Sequence, residues 1–216
     1  MRTWALGIVV AVTVIPGWRA LDAQGPAFDC SKASGEVEQL ICKDAALAAL
    51  DRKLDGVYKA ATARAKGQMA STLRAEQRGW IGGRNECWKA KNADNAVYLT
   101  ASWTAASVRE CVEAQYRMRT AELQALYRLV TPKTVFFVCQ NQPANEIVAN
   151  FFATDPPTAR LERGDRTITA YQVKAASGAR YEGQNVSFWN KGNEATVSWM
   201  NPATGVTEDL QCKVRQ

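Results

Sequence analysis

Six cysteines and the absence of histidine constrain this 216-residue chain more than any other feature of its sequence. An even number of cysteines suits an oxidising compartment, where cysteines form disulfides. Without histidine, the chain cannot build a Ser-His-Asp triad, a Cys-His pair or a zincin metal site. The sequence also has no CxxC spacing. The cysteines therefore predict disulfides rather than a zinc site, and no metal or other cofactor is expected.

The N-terminus predicts export. Arg2 precedes an apolar run from Trp4 to Ile15, which is shorter than the roughly 20 residues that a membrane span needs. Residues 1–23 therefore predict a secretory signal peptide that is cleaved after Ala23. The first cysteine, Cys30, does not follow that site directly. We accordingly expect a periplasmic or secreted protein with no membrane span, and not a lipoprotein.

The rest of the chain divides into two halves of different composition near Thr131, which predicts an α+β fold of two domains. In residues 24–131, three series of apolar residues at helical spacing begin at Leu47, Leu73 and Val108, and they predict about three helices in a hairpin arrangement. Residues 134–216 predict eight short antiparallel strands in a small closed barrel, with a sandwich as the alternative. The predicted strands are Thr134–Gln140, Glu146–Phe152, Thr158–Glu162, Thr167–Lys174, Ala179–Tyr181, Gln184–Asn190, Glu194–Met200 and Val206–Val214.

The basic charge belongs to the helical half. Residues 24–133 contain 17 basic and 12 acidic residues, whereas residues 134–216 contain eight of each. The basic residues are dispersed among acidic ones along the predicted helices, which is typical of a solvated face. We therefore expect no nucleic-acid partner, since such a site would need clustered basic residues with stacking aromatics.

The distribution of the cysteines limits their pairing. If each half pairs its own cysteines, the two in the strand half must form Cys139–Cys212, which ties the first strand to the last. Three connectivities then stay open for the four in the helical half. Of these we favour Cys30–Cys87 together with Cys42–Cys111.

Several stretches of the helical half carry a resemblance to a known family. They are Phe28–Ala33, Glu38–Cys42, Leu47–Asp51, Tyr58, Leu73–Trp80, Arg84–Cys87 and Cys111–Arg119. In order and spacing they resemble the LprI N-terminal family of exported bacterial domains. This resemblance covers roughly residues 28–127.

The strand half carries a second resemblance, over about residues 134–216. Its marks are Cys139, the stretch SGARY at 177–181, the stretch FWNKGNEA at 188–195, and Cys212. These motifs resemble the membrane-bound and periplasmic inhibitors of C-type lysozyme, whose fold is an eight-stranded antiparallel barrel. The resemblance implies a bacterial envelope protein that inhibits a host C-type lysozyme.

In that family the serine of the SG motif and the lysine of the WxKG motif enter the enzyme's cleft, and they correspond to Ser177 and Lys191. The chemistry fits, because a C-type lysozyme cleft holds one protonated acid and one carboxylate. A lysine ammonium can pair with the carboxylate, and a serine hydroxyl can bond to the acid. Arg180 and Tyr181 either support the loop or touch the rim of the enzyme. The implied lysozyme-binding site comprises Ser177, Gly178, Arg180, Tyr181, Lys191 and Gly192.

Other residues have simpler interpretations. Phe188, Trp189 and Trp199 are expected to pack in the barrel core. Glu182 and Glu194 are expected to be surface charges, not a glycosidase pair, so no catalytic residue is predicted and the chain is not expected to be an enzyme. Two alternatives stay open: an envelope binding module for an apolar ligand or a cell-wall fragment, and an envelope hydrolase. The sequence predicts neither the oligomeric state nor the role of the helical half.

Overall fold

Four α-helices make up the first half of the structure. The computed structural model describes residues 25–215, so the predicted signal peptide lies outside the described residues. The helices are α1 (Glu36–Lys43), α2 (Ala45–Arg64), α3 (Gln68–Asn85) and α4 (Val108–Leu126). Helices α2, α3 and α4 confirm the three predicted helical series. Helix α1 was not predicted, because eight residues are too few for a clear periodic pattern and only Asp44 separates it from α2.

Asp44 joins three of these helices. It caps α2, where its Oδ1 accepts hydrogen bonds from the backbone N–H of Ala46 at 2.9 Å and of Leu47 at 3.1 Å. Its other oxygen accepts a bond of 2.8 Å from Nε of Arg109 on α4. The Leu47 N–H is the main cause that lowers the pKa of Asp44 below its ordinary value, and Arg109 and the Ala46 N–H lower it further.

The helical half has a core of its own. Its largest buried side chains come from all four helices, and they are Ile41, Leu47, Leu73, Val112, Tyr116 and Leu123. Three short 3₁₀ turns surround these helices, at Cys30–Lys32, Glu86–Lys89 and Ala93–Asn95. A two-stranded hairpin of β1 (Val97–Tyr98) and β2 (Thr104–Ala105) precedes α4.

The disulfides of the helical half correct the favoured pairing. The bonds are Cys30–Cys42 and Cys87–Cys111, with Cα–Cα distances of 5.9 and 5.6 Å. Cysteines pair in chain order because each bond joins a short 3₁₀ turn to the helix on which it packs. The turn at Cys30–Lys32 packs on α1, and the turn at Glu86–Lys89 packs on α4. The predicted Cys139–Cys212 bond is confirmed.

The second half is a closed barrel of eight antiparallel strands, which confirms the predicted barrel and excludes the sandwich. The strand order is β10-β3-β4-β5-β6-β7-β8-β9, so every strand pairs with its neighbours in sequence and β10 closes on β3. The strands are β3 (Lys133–Cys139), β4 (Glu146–Phe152), β5 (Thr158–Arg163), β6 (Arg166–Val173), β7 (Ala179–Gly183), β8 (Val186–Lys191), β9 (Glu194–Met200) and β10 (Thr207–Val214).

Large side chains fill the interior of the barrel. Phe137, Phe188 and Trp199 are buried there, as predicted for the last two. The prediction that Trp189 packs in the core was wrong, since its side chain is on the outer surface and 40% exposed. Consecutive residues of a strand face opposite sides of the sheet, so Phe188 and Trp189 cannot both point inward.

The two halves contact each other through α4. This helix packs against β5. Arg117 on α4 also forms an ion pair with Asp155 in the β4–β5 connection. Independent folding of residues 24–131 and 134–216 stays a prediction. Within residues 25–215, no helix is long and apolar enough to cross a membrane.

Disulfide mapping tests the pairing. Proteolysis without reduction, followed by mass spectrometry, should give linked peptides for Cys30–Cys42, Cys87–Cys111 and Cys139–Cys212. Alkylation of the unreduced protein should label no cysteine, because all six are paired. A peptide that links Cys30 to Cys87 would restore the rejected connectivity.

Asp44→Ala should lower the free energy of unfolding of the helical half by about 1–2 kcal/mol at neutral pH, through loss of the α2 cap. Because the folded-state pKa of Asp44 is lowered, its contribution is present above the ordinary aspartate pKa and is lost as the pH falls through the lowered value. Urea unfolding followed by far-UV circular dichroism should therefore show a difference between variant and wild type that shrinks as the pH falls below the ordinary aspartate pKa. Asp209→Ala, on the exposed face of β10, is the control and should show little change at either pH.

Candidate functional site

Two connections lie side by side at one end of the barrel, the loop of residues 174–178 between β6 and β7 and the turn between β8 and β9. They are adjacent because β7 and β8 pair with Ala179 opposite Asn190, which sets the start of β7 beside the end of β8. The predicted residues Ser177, Gly178, Lys191 and Gly192 are thereby brought together.

Gly178 brings the two connections into contact. Its φ is +68°, a conformation that side chains other than glycine's rarely adopt. A Cβ atom at this position would lie 2.3 Å from the backbone oxygen of Asn190 and 3.2 Å from Cβ of Lys191. The backbone of the loop thus rests directly on the end of β8, and only glycine permits that approach.

Trp189 holds the same loop from the outer face of the barrel. Its indole Nε1–H donates a hydrogen bond of 2.7 Å to the backbone oxygen of Ser177. The bond uses the backbone of Ser177, and the Ser177 hydroxyl makes no hydrogen bond within residues 25–215. This role of Trp189 was not predicted from the sequence. Alternation along β8 could have indicated it, because a buried Phe188 places its neighbour Trp189 on the outer face.

Lys191 ends β8 and is exposed. Gly192 follows it with φ of +59°, as the first central residue of a two-residue hairpin turn. Glu194 lies opposite Lys191 across this turn, but its carboxylate is 3.7 Å from the ammonium of Lys213 on β10. Among the described residues, no hydrogen bond or ion pair engages the ammonium of Lys191.

Arg180 and Tyr181 point to opposite sides of β7. The Tyr181 ring is 8% exposed and packs inside the barrel against Phe151, with ring centroids 5.4 Å apart. Burial raises the pKa of Tyr181 above its ordinary value. Tyr181 therefore supports the strand from within. Arg180 is on the outer face, where its Nε donates a hydrogen bond of 3.2 Å to Oγ of Ser187.

The prediction that Glu182 is a surface charge was wrong, since its side chain is 1% exposed. Its Oε1 is 3.1 Å from Nη2 of Arg180, and its Oε2 accepts hydrogen bonds from the loop between β1 and β2 of the helical half. Glu194, by contrast, is exposed as predicted. Glu182 was misjudged because its cover comes from a segment some 80 residues away in the chain.

A shallow depression of about 420 Å³ lies on the barrel wall beside the Ser177 loop. Basic and hydroxyl-bearing side chains line it, and no carboxylate does; the polar members are Lys174, Arg180, Ser187, Thr196 and Ser198. Within residues 25–215, no group of three or more Cys, Asp or Glu residues could hold a metal ion. The site thus presents cations and hydroxyls that suit a partner with carboxyl groups.

Comparison with known families divides the chain at the same place as the structure. Residues 30–123 match the family described as lysozyme inhibitor LprI. Residues 137–204 match the family described as membrane-bound lysozyme inhibitor of c-type lysozyme, or MliC. The chain thus joins a region similar to LprI, here called the LprI region, to a region similar to MliC, here called the MliC region. The four helices thus lie in or beside the LprI region, and both site loops lie in the MliC region.

Curated relatives match along most of the chain. Proteins named Lipoprotein LprI from Mycobacterium tuberculosis and Mycobacterium bovis are each 28% identical to it over 204 residues. The match covers 90% of this chain and 93% of each relative, so the similarity runs through the LprI and MliC regions. Because these relatives are named lipoproteins, they do not support the expectation that this chain lacks a lipid anchor.

Gly178→Ala tests the contact between the loops. It should lower the free energy of unfolding by about 3 kcal/mol, because it combines a positive φ with a clash against backbone. Gly164→Ala is the matched control, since Gly164 has φ of +60° but open space around its missing Cβ, and should cost about 1–2 kcal/mol. Urea unfolding followed by near-UV circular dichroism measures both. Equal losses for the two variants would show that the close approach to Asn190 is not a constraint.

Proposed function

We propose that this protein inhibits C-type lysozyme by inserting Ser177 and Lys191 into the cleft of the enzyme. The single observation that carries the proposal is the contact of the two connections at one end of the barrel, where the Ser177 loop rests on the end of β8 that carries Lys191. Within residues 25–215, neither the Lys191 ammonium nor the Ser177 hydroxyl is engaged by another group. The matches to two families of lysozyme inhibitors, LprI and MliC, support the same partner. A host lysozyme that reaches the bacterial envelope is the proposed target.

The proposed contacts are complementary in charge and hydrogen bonding. The cleft of a C-type lysozyme holds one carboxylate and one protonated acid. Lys191 supplies a cation for the carboxylate, and Ser177 supplies a group that can donate to or accept from the acid. The bond from Trp189 to the Ser177 backbone fixes the loop before binding. Less conformational entropy is then lost when the loop binds.

The surroundings of the site favour inhibition over catalysis. A glycosidase would need two carboxyl groups facing one substrate. Glu182 is buried and engaged by Arg180 and the helical half, and Glu194 is exposed beside Lys213. Neither is placed as a catalytic acid, so we propose that the protein is not an enzyme.

The alternative of a binding module for an apolar ligand has less support. Aromatic rings pack against each other inside the barrel, with centroids 5.4 Å apart for Phe137–Phe188 and 6.0 Å apart for Phe151–Phe188. An interior filled in this way does not suit a carrier of apolar molecules. A cell-wall fragment as ligand would leave lysis by lysozyme unchanged, so an inhibition assay distinguishes the two functions.

The test is an inhibition titration of C-type lysozyme on cell-wall suspensions, with a melting curve for each variant. Lys191→Ala should weaken inhibition by about 2–5 kcal/mol, because it leaves the enzyme's carboxylate desolvated and unpaired. Lys191→Glu should weaken it more, since it sets like charges together. Ser177→Ala removes one neutral hydrogen bond and should cost about 1–2 kcal/mol.

Lys53→Glu is the control for the charge reversal, because Lys53 is exposed on α2 of the helical half and lies outside the barrel. It should inhibit like the wild type. All the variants should melt near the wild-type temperature, since these side chains are exposed. Full inhibition by Lys191→Glu would contradict the proposed mechanism.

A further inference from the structure

Glu182 forms a buried polar bridge between the helical half and the strand that carries the Ser177 loop. Its Oε2 accepts three hydrogen bonds from the loop between β1 and β2: from the Ser102 backbone N–H at 2.9 Å, Ser102 Oγ at 2.8 Å and Thr100 Oγ1 at 3.1 Å. Its Oε1 is 3.1 Å from Arg180. The Arg180 contact is an ion pair without a hydrogen bond. The three hydrogen bonds to Oε2 reach a charged and desolvated group and are therefore stronger than those between neutral groups.

The loop that donates these bonds is itself fixed. The backbone N–H of Leu99 donates to the oxygen of Trp103 at 2.8 Å, and the N–H of Trp103 donates to Oγ1 of Thr100 at 3.1 Å. Strand β2, at the end of this loop, packs on α4. The donors to Glu182 are therefore held in place by the helical half and do not depend on Glu182 for their position.

The neighbouring strand is held by the same half of the protein. Tyr171 on β6 lies directly opposite Glu182 on β7. Tyr171 lines the same cavity as Glu122 of α4. Burial and, to a lesser extent, the Glu122 carboxylate raise the pKa of Tyr171. The helical half thus covers both strands of the β6–β7 ribbon, and the loop of residues 174–178 extends beyond the covered part.

We infer that the helical half positions the inhibitory loop of the barrel through the bridge from Ser102 to Glu182 to Arg180. Glu182 and Ser102 are positioning residues, since they act on the loop through β7. Arg180 contacts both Glu182 and Ser187, which pair across β7 and β8, so its orientation on the site face depends on the bridge. This inference rests on the proposed function and assigns a role to the helical half.

The experiment uses full-length variants in the lysozyme titration. Glu182→Gln removes the ion pair with Arg180 and should weaken inhibition about tenfold or more. Ser102→Ala removes one of the three donors and should weaken it about threefold, whereas Ser102→Thr keeps the hydroxyl and should restore it. Ser71→Ala is the matched control, because the Ser71 hydroxyl bonds only within its own helix, to the oxygen of Gln68 at 2.8 Å.

A double-mutant cycle separates positioning from a general loss of stability. In an Arg180→Ala background, Ser102→Ala should change inhibition less than about twofold, because the route through Arg180 is already absent. An equal effect of Ser102→Ala in both backgrounds would overturn the inference. Wild-type inhibition by Glu182→Gln, even with a lowered melting temperature, would also overturn it.

Hydrogen exchange separates this inference from the proposed function. Without lysozyme present, the amides of residues 174–180 should exchange faster in Glu182→Gln than in the wild type, because β7 loses its bridge. Unchanged exchange would overturn the inference. If the wild-type protein fails to inhibit lysozyme, the proposed function falls, and the exchange result still decides whether the helical half holds the loop.

Discussion

Closure of the barrel between β3 and β10 is the constraint on which the site depends. Cys139 and Cys212 lie directly opposite each other and are disulfide-bonded, which fixes the register of the two strands. The same row of residues continues around the barrel through Ala195 and Asn190 to Ala179, where β7 begins. A slip of β8 by one residue would turn the lysine that follows Asn190 toward the interior, and the fixed Cys139–Cys212 end of the row opposes such a slip. The bond that closes the sheet therefore also sets the geometry of the loops.

Local patterns in the sequence predicted most of the fold. The strands Glu146–Phe152 and Glu194–Met200 were predicted at their observed bounds, because turn signals flank both. Helix α1 and the pairing of the first four cysteines were not predicted. The helix is too short for a clear periodic pattern. The pairing depends on how short 3₁₀ turns pack on neighbouring helices, and the spacing of the cysteines does not report such packing. The strand pattern could have placed Trp189 on the outer face, but the expectation that large aromatic residues are buried was given more weight.

For the site as well, features that depend on local motifs were predicted, whereas those that depend on residues far away in the chain were not. Ser177, Gly178, Lys191 and Gly192 were predicted from motifs that resemble a known family, and the barrel brings them together. The environment of Glu182 could not be predicted, because its partners come from the loop between β1 and β2 in the other half of the chain. A glutamate on a strand, close to an arginine in the sequence, is predicted to form an exposed ion pair. Its burial becomes evident only when the segment that covers it is known. The contact between the halves thus determines which charges of the site face solvent.

That contact has an electrostatic consequence for recognition. Arg180 is neutralised by Glu182, whereas the ammonium groups of Lys174 and Lys191 have no carboxylate partner among residues 25–215. Lys174 in the β6–β7 loop and Lys191 at the end of β8 therefore carry unpaired positive charge at the site. The helical half carries the excess positive charge of the chain, so its long-range field would repel a partner of net positive charge. Under the proposed function, affinity comes from short contacts in a partly dry cleft, where one well-placed ammonium contributes more than the net charge. A loop fixed by Gly178, Trp189 and the bridge to the helical half is suited to that requirement, because little of its order has to be acquired on binding.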